Sequence, residues 1–195
     1  MRDFLMRDYS VLGTPTHSNI ANEWGTRRVL VDQRKLPGLG TRETWASVLK
    51  RRYVTTHEER VRESFSRQAF MSTLGAKLTT VVEGGVEIRL PFSPSLTQQN
   101  GYVHAGAITA VLDSACGYAA LSVTPDDKDV LTVELKVNLL APAAGEMFVA
   151  RGQVKKAGRT LTVCTADAFA ISGGKEKLVA TMLATIMAVP SRPAE

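Results

Sequence analysis

Cysteine is scarce in this chain of 195 residues, which has only Cys116 and Cys164. Both lie in apolar surroundings, and neither has a second cysteine at the short spacing of a zinc site. They read as small buried hydrophobes in a reducing compartment, not as a disulfide framework. With three histidines in all and no acidic or histidine cluster, no metal site and no cofactor is expected. No run of about 18 apolar residues occurs, so no membrane-spanning helix is expected. The opening Met1-Arg-Asp-Phe-Leu-Met-Arg-Asp8 lacks the apolar core of a secretory signal, which points to the cytoplasm. Aromatics are 6% of residues and do not interleave with the basic ones, which argues against a nucleic-acid stacking platform.

The net charge of +5 is uneven. Residues 1–60 hold 11 Lys/Arg against 7 Asp/Glu, a balance of +4, and residues 61–195 hold 13 against 12, a balance of +1. Residues 1–55 show no sustained periodicity and are punctuated by Gly13-Thr-Pro-Thr and Pro37-Gly-Leu-Gly. They read as a poorly ordered basic extension with a short helix near residues 42–52. Residues 56–190 read as the folded domain.

The pattern tightens at Thr56-His-Glu-Glu, a helix start with an N-cap and early acids. His57 there reads as a solvated surface histidine. Val61, Phe65, Phe70, Met71 and Leu74 continue at helical spacing to Gly75. Residues 76–82 and 86–91 alternate around Glu83-Gly-Gly, a hairpin signal. Beyond a Pro-bearing loop and a helix, strands are expected over residues 130–140, 146–156, 160–171 and 177–189. Antiparallel strands joined by short turns make one sheet, and a helix apolar nearly all round must lie on its concave face. The fold class is therefore α+β, and its uncovered edge predicts self-association.

That helix starts in the stretch Gln98-Gln-Asn-Gly-Tyr-Val-His104-Ala-Gly-Ala and runs to Ala120. Its body is small and apolar except for Asp113, a carboxylate that is costly to bury unless it is partnered. His104, Ala105 and Gly106 stand where free N–H groups and the positive end of the helix dipole lie. An N–H cradle a few turns from a carboxylate suits acyl transfer, with donors for an oxyanion and a base or nucleophile for attack. On position alone, His104 serves equally as a plain structural cap. Gln99 and Asn100 compete with Gln98 as the amide that matters, and Thr132 on a strand is ordinarily a β-former.

The run Gln98…Gly101…His104-Ala-Gly106…Asp113, followed by Thr132-Val-Glu-Leu, Ala141-Pro-Ala…Gly145 and Gly158-Arg-Thr-Leu, resembles the PaaI-type hotdog-fold acyl-CoA thioesterases over roughly residues 61–190. The resemblance implies an antiparallel sheet wrapped on a long helix, and a homodimer or homotetramer with active sites between subunits. It implies Asp113 as the acid that activates water or attacks the thioester. It implies the Ala105 N–H as the group polarising the carbonyl, in place of the family's first Gly of His-Gly-Gly. Gln98 and Thr132 would contact the thioester or the water, and His104 would orient the loop. Gly106 and Asn100 would line the substrate. Lys156 and Arg159, clustered by charge at a hairpin tip, read by default as a solvated turn and more sharply as contacts for the phosphates of CoA. The acid and the N–H come from opposite subunits in that family. Two rivals are a hotdog hydratase, whose Asp/His or His-Phe-Pro-Gly signatures do not appear here, and a non-enzymatic acyl-CoA-binding protein.

Overall fold

The computed structural model describes residues 18–20, 29–31 and 57–191. The chain divides into two units, Met1–Tyr53 and Val54–Glu195. In the first, β1 (Ser18–Ile20) pairs antiparallel with β2 (Val29–Val31). The order expected of residues 1–55 and the helix near residues 42–52 otherwise lie outside the described residues.

The second unit opens with α1 (His57–Ser66) and α2 (Ala69–Leu74). One continuous helix was expected here; instead the chain breaks at Arg67–Gln68. The Ser66 hydroxyl donates back to the Glu63 carbonyl at 2.7 Å, which competes with the helical ladder. The N–H groups of Arg67 and Gln68 then reach carbonyls only three residues back, tightening the last turn. Gly75 closes α2 at φ 73°, where an L-residue would be strained. Arg60 secures α1: its guanidinium donates to the carbonyls of Thr124 (2.8 Å) and Lys128.

Next come β3 (Lys77–Val82), β4 (Gly85–Pro91), α3 (Ala105–Leu121), β5 (Lys128–Leu139), β6 (Met147–Ala157), β7 (Leu161–Ser172) and β8 (Lys175–Pro190). The six strands form one antiparallel sheet in the order β3-β4-β6-β7-β8-β5. Sequence neighbours pair within β3-β4 and β6-β7-β8, as short turns require. β5 does not join β6. It crosses to the far edge beside β8, so β4 meets β6 directly.

The sheet's inner face is built to admit a helix closely. Along β7, Thr162, Cys164, Ala166, Ala168 and Ala170 alternate inward and are all buried. On β6, a Cβ at Gly152 would lie 2.3 Å from the Ala115 carbonyl oxygen, so glycine is needed where α3 touches the strand. Burial pushes both thiols up, Cys164 to about 11 and Cys116 further still.

The sequence pattern predicts a helix covered on nearly all sides. One stripe of α3 remains open: Ala105, Gly106, Thr109, Ala110, Asp113 and Gly117 are half-buried or exposed. Their spacing of three and four residues places them on one face. The edge strand β5 is open as well, and Leu131, Val133, Leu135 and Leu139 are exposed along it.

Candidate active site

The start of α3 is set by a short loop. Thr97 and Val103 form an isolated antiparallel bridge, and the Gln98 N–H donates to the Tyr102 carbonyl at 2.8 Å. Gly101 turns the chain at φ 83°. Within that loop the Gln98 Oε1 accepts from the Asn100 N–H at 2.5 Å. This holds the side chain in place and leaves its NH₂ end free for a ligand. Gln98 lines a cavity of about 470 Å³ together with Tyr102, Ala105, Ile108, Leu140 and Pro142. Gln99 and Asn100 do not line it.

His104 is the N-cap of α3, with extended backbone at φ −61°, ψ 137°. Its Nδ1 accepts from the Gly106 N–H at 2.8 Å. With Nδ1 as acceptor, a neutral ring carries its proton on Nε2. The cap also occupies the Gly106 N–H, so the backbone donor expected there is not available. The N–H groups of Ala107 and Ile108 turn to the His104 carbonyl. Among the described residues the Ala105 N–H meets no acceptor. It stands free at the positive end of the helix, and Ala105 lines the same cavity as Gln98.

Asp113 lies two turns further along α3. It is half-buried, not enclosed as its apolar neighbours suggest. The Thr132 hydroxyl on β5 donates to its Oδ1 at 2.7 Å, a charge-assisted bond that fixes the carboxylate. Thr132 can reach because its register opposite Ile186 turns it to the inner face, just before a bulge at Val133. Asp113 and Thr132 line a second cavity, of about 610 Å³.

The predicted residues thus fall into two groups. Gln98, His104 and Ala105 gather at the helix start, and Asp113 and Thr132 at its middle. Eight residues of helix separate Ala105 from Asp113, about 12 Å at 1.5 Å per residue. Lys156 and Arg159 are exposed at the β6–β7 hairpin and line neither cavity. Gln68, 46 residues before Ser114, was missed altogether. It reaches the Asp113 cavity from the α1–α2 break. A polar residue in the helical apolar series Val61, Phe65, Met71 was the available signal.

Residues 100–177 match the model of the thioesterase superfamily. The chain is 52% identical to a thioesterase family protein from Silicibacter pomeroyi, covering 69% of this chain and 99% of that one, with a TM-score of 0.68. The chain belongs to the thioesterase superfamily. Membership places it among hydrolases of the hotdog fold, which agrees with the six-stranded sheet around α3. The PaaI protein from the phenylacetic acid degradation operon of E. coli shares the fold at 18% identity and a TM-score of 0.62, over 69% of this chain and 94% of that one. A protein of Saccharolobus solfataricus with a provisional esterase name is 33% identical over 90 residues. The match spans 46% of this chain and 64% of that relative's length. Among the described residues, no helix is long and apolar enough to cross a membrane.

Proposed function

We propose that this thioesterase hydrolyses acyl-CoA to a free acid and CoA, at a site completed by a second copy of the chain. The separation of the two groups along α3 carries this reading. A thioester carbonyl needs its oxyanion donor and its base each about 3 Å from the reacting atoms. No bending of one helix brings the Ala105 N–H and the Asp113 carboxylate that close. An antiparallel copy across the open stripe of α3 and the edge of β5 does so twice, once at each end. The same contact covers the exposed leucines of β5 and pairs its free edge.

The chemistry follows from what each atom has left to offer. The carbonyl oxygen accepts from the Ala105 N–H of one chain, with the Gln98 amide beside it. In the other chain Thr132 occupies Oδ1 of Asp113, and Oδ2 takes a proton from water as it attacks the carbonyl carbon. The tetrahedral oxyanion is held by the helix N-terminus. Its collapse breaks the C–S bond, and the proton on Asp113 passes to the departing thiolate. The Nε2–H of His104 can donate to the substrate at the same mouth. Lys156 and Arg159 remain candidates for the nucleotide phosphates of CoA, supported only by their charge and exposure. A cytoplasmic dimer, or a tetramer made of two dimers, is the assembly this reading requires.

The test is thiol release from short-, medium-, long-chain and aryl acyl-CoAs, with wild type beside Asp113→Asn. The expected result is turnover of at least one member, lowered by about 10²–10⁴-fold in the variant. Near-wild-type kcat in Asp113→Asn would remove the base from this mechanism. Tight binding of acyl-CoA with no thiol from any member would make the protein a binder and not an enzyme.

A further inference from the structure

Two glycines stand in α3, and only one of them has a reason within the chain. At Gly106 a Cβ would lie 3.0 Å from Nδ1 of His104, against the side chain that caps the helix. Gly117 meets no such obstacle. Its φ is not positive, so the backbone there suits any L-residue. Beyond its chain neighbours and its own helix backbone, a Cβ built on Gly117 meets nothing within 4 Å among the described residues. Yet glycine is the poorest helix former after proline, and this one lies inside a helix of 17 residues, four before its end at Leu121. Alanine would fit in this chain and would strengthen α3.

The place of the open space bears on what enters it. Gly117 is half-buried and follows Asp113 by four residues, one turn along the same face. Both line the cavity of about 610 Å³, together with Leu121 one turn further on and with Val130 and Val189. A chain that leaves the carbon under attack beside Asp113 and follows α3 towards Leu121 passes over Gly117. The helix of a second copy does not compete for that space. An antiparallel pairing that sets Ala105 opposite Asp113 sets Gly101 opposite Gly117, and Gly101 lies ahead of the first residue of α3.

We infer that Gly117 is a specificity-determining residue that sets the size limit of the acyl group: its missing side chain leaves room for the part beyond the carbonyl. This rests on the acyl-CoA reading above. Having no side chain, the residue discriminates by volume and not by polarity. A side chain placed there takes space from the longest acyl groups first and leaves the reacting atoms beside Asp113 where they are.

The experiment uses straight-chain acyl-CoAs of increasing length. Wild type, Gly117→Ala and Gly117→Leu are compared by kcat/KM, by calorimetric Kd and by thermal unfolding. Gly117→Ala should melt about 2–4 °C above wild type, because alanine favours the helix and meets no obstacle. The ratio of kcat/KM for the longest to the shortest substrate should fall in both variants, by about tenfold or more in Gly117→Leu and by less in Gly117→Ala. A more stable protein with a narrower substrate range is an outcome that a packing role does not give. Equal losses at every length, or an unchanged ratio in both variants, would overturn the inference. So would a lower melting temperature in Gly117→Ala, which would mean that protein fills the space. A length-dependent loss of Kd with no thiol released by any of the three proteins would uphold Gly117 and refute hydrolysis. If wild type binds no acyl-CoA, both claims fall.

Discussion

Replacing Ala105 by proline removes one hydrogen atom from the proposed site and little else. Ala105 is the first residue of α3, where proline is well tolerated because the N–H there has no helical partner. The preceding His104 is already extended at ψ 137°, as a residue before proline must be. No hydrogen bond is lost, since the Ala105 N–H meets no acceptor among the described residues. The melting temperature of Ala105→Pro should therefore stay within about 2 °C of wild type, a shift of well under 1 kcal/mol. Catalysis should not survive so well. Loss of one oxyanion donor costs about 2.7–4 kcal/mol, a fall of about 10²–10³ in kcat. Ala105→Gly, which keeps the N–H, should remain active. Mixing then tests the sharing of sites. Chains carrying Ala105→Pro and chains carrying Asp113→Asn are each defective in every site they form with themselves. A mixed dimer regains one intact site of two, and random pairing makes half the dimers mixed, so about a quarter of wild-type activity should return. A kcat for Ala105→Pro within threefold of wild type would refute the donor role. Failure of the mixture to recover would refute the shared site.

Three further outcomes follow from the geometry. Thr132→Val keeps the side-chain shape but removes the donor to Asp113, and a bond to a charged group is worth about 1.5–3 kcal/mol. A fall of about 10- to 100-fold in kcat is expected, with Thr132→Ser recovering most of it, and a change below threefold would dissociate the hydroxyl from the reaction. Gly152→Ala sets a methyl 2.3 Å from the Ala115 carbonyl oxygen, so α3 must move outward by roughly 1 Å at a cost of about 1–3 kcal/mol. Thermal unfolding should show a melting temperature lower by on the order of 5–10 °C; no change would mean that helix and strand are not in contact there. Both thiols should resist disulfide reagents at pH 8 until the protein unfolds, because both side chains are fully buried and Cys164 ionises only near 11. Unfolded thiols ionise near 9, so stability held below that pH should be lost as the pH rises towards 11, visible as a lower denaturant midpoint at pH 10 than at pH 8.

Much of this architecture was legible in the sequence. Period-two alternation located all six main strands within about two residues, and the run of small apolar residues located α3. What escaped depended on contacts far apart in sequence. Nothing local tells β4 to pair with β6 across an intervening helix and strand. The break at Gln68 was passed over, although Phe65 and Met71, six residues apart, stand out of helical phase with each other. Asp113 stood out by chemistry against an apolar background, and Ala105 only by its place at the helix start and the family resemblance. Gln68 did not, since an amide in a helical stretch is ordinary until Ser114 is seen opposite it. The lining of the Asp113 cavity reads as small and apolar from α3 alone; Ser64, Arg67 and Gln68, more than 40 residues upstream, add polar side chains to it.

The spacing of Ala105 and Asp113 also fixes how such an enzyme responds to its own abundance. Helix rise is rigid, so no loop closure or hinge within one chain brings the two residues closer along α3. On the shared-site reading, catalytic centres exist only as chains associate. Well below the dissociation constant of the dimer, the number of working sites falls with the square of the total chain concentration. Specific activity would then drop on dilution and return with second-order kinetics on concentration, a dependence that a site contained in one chain does not show.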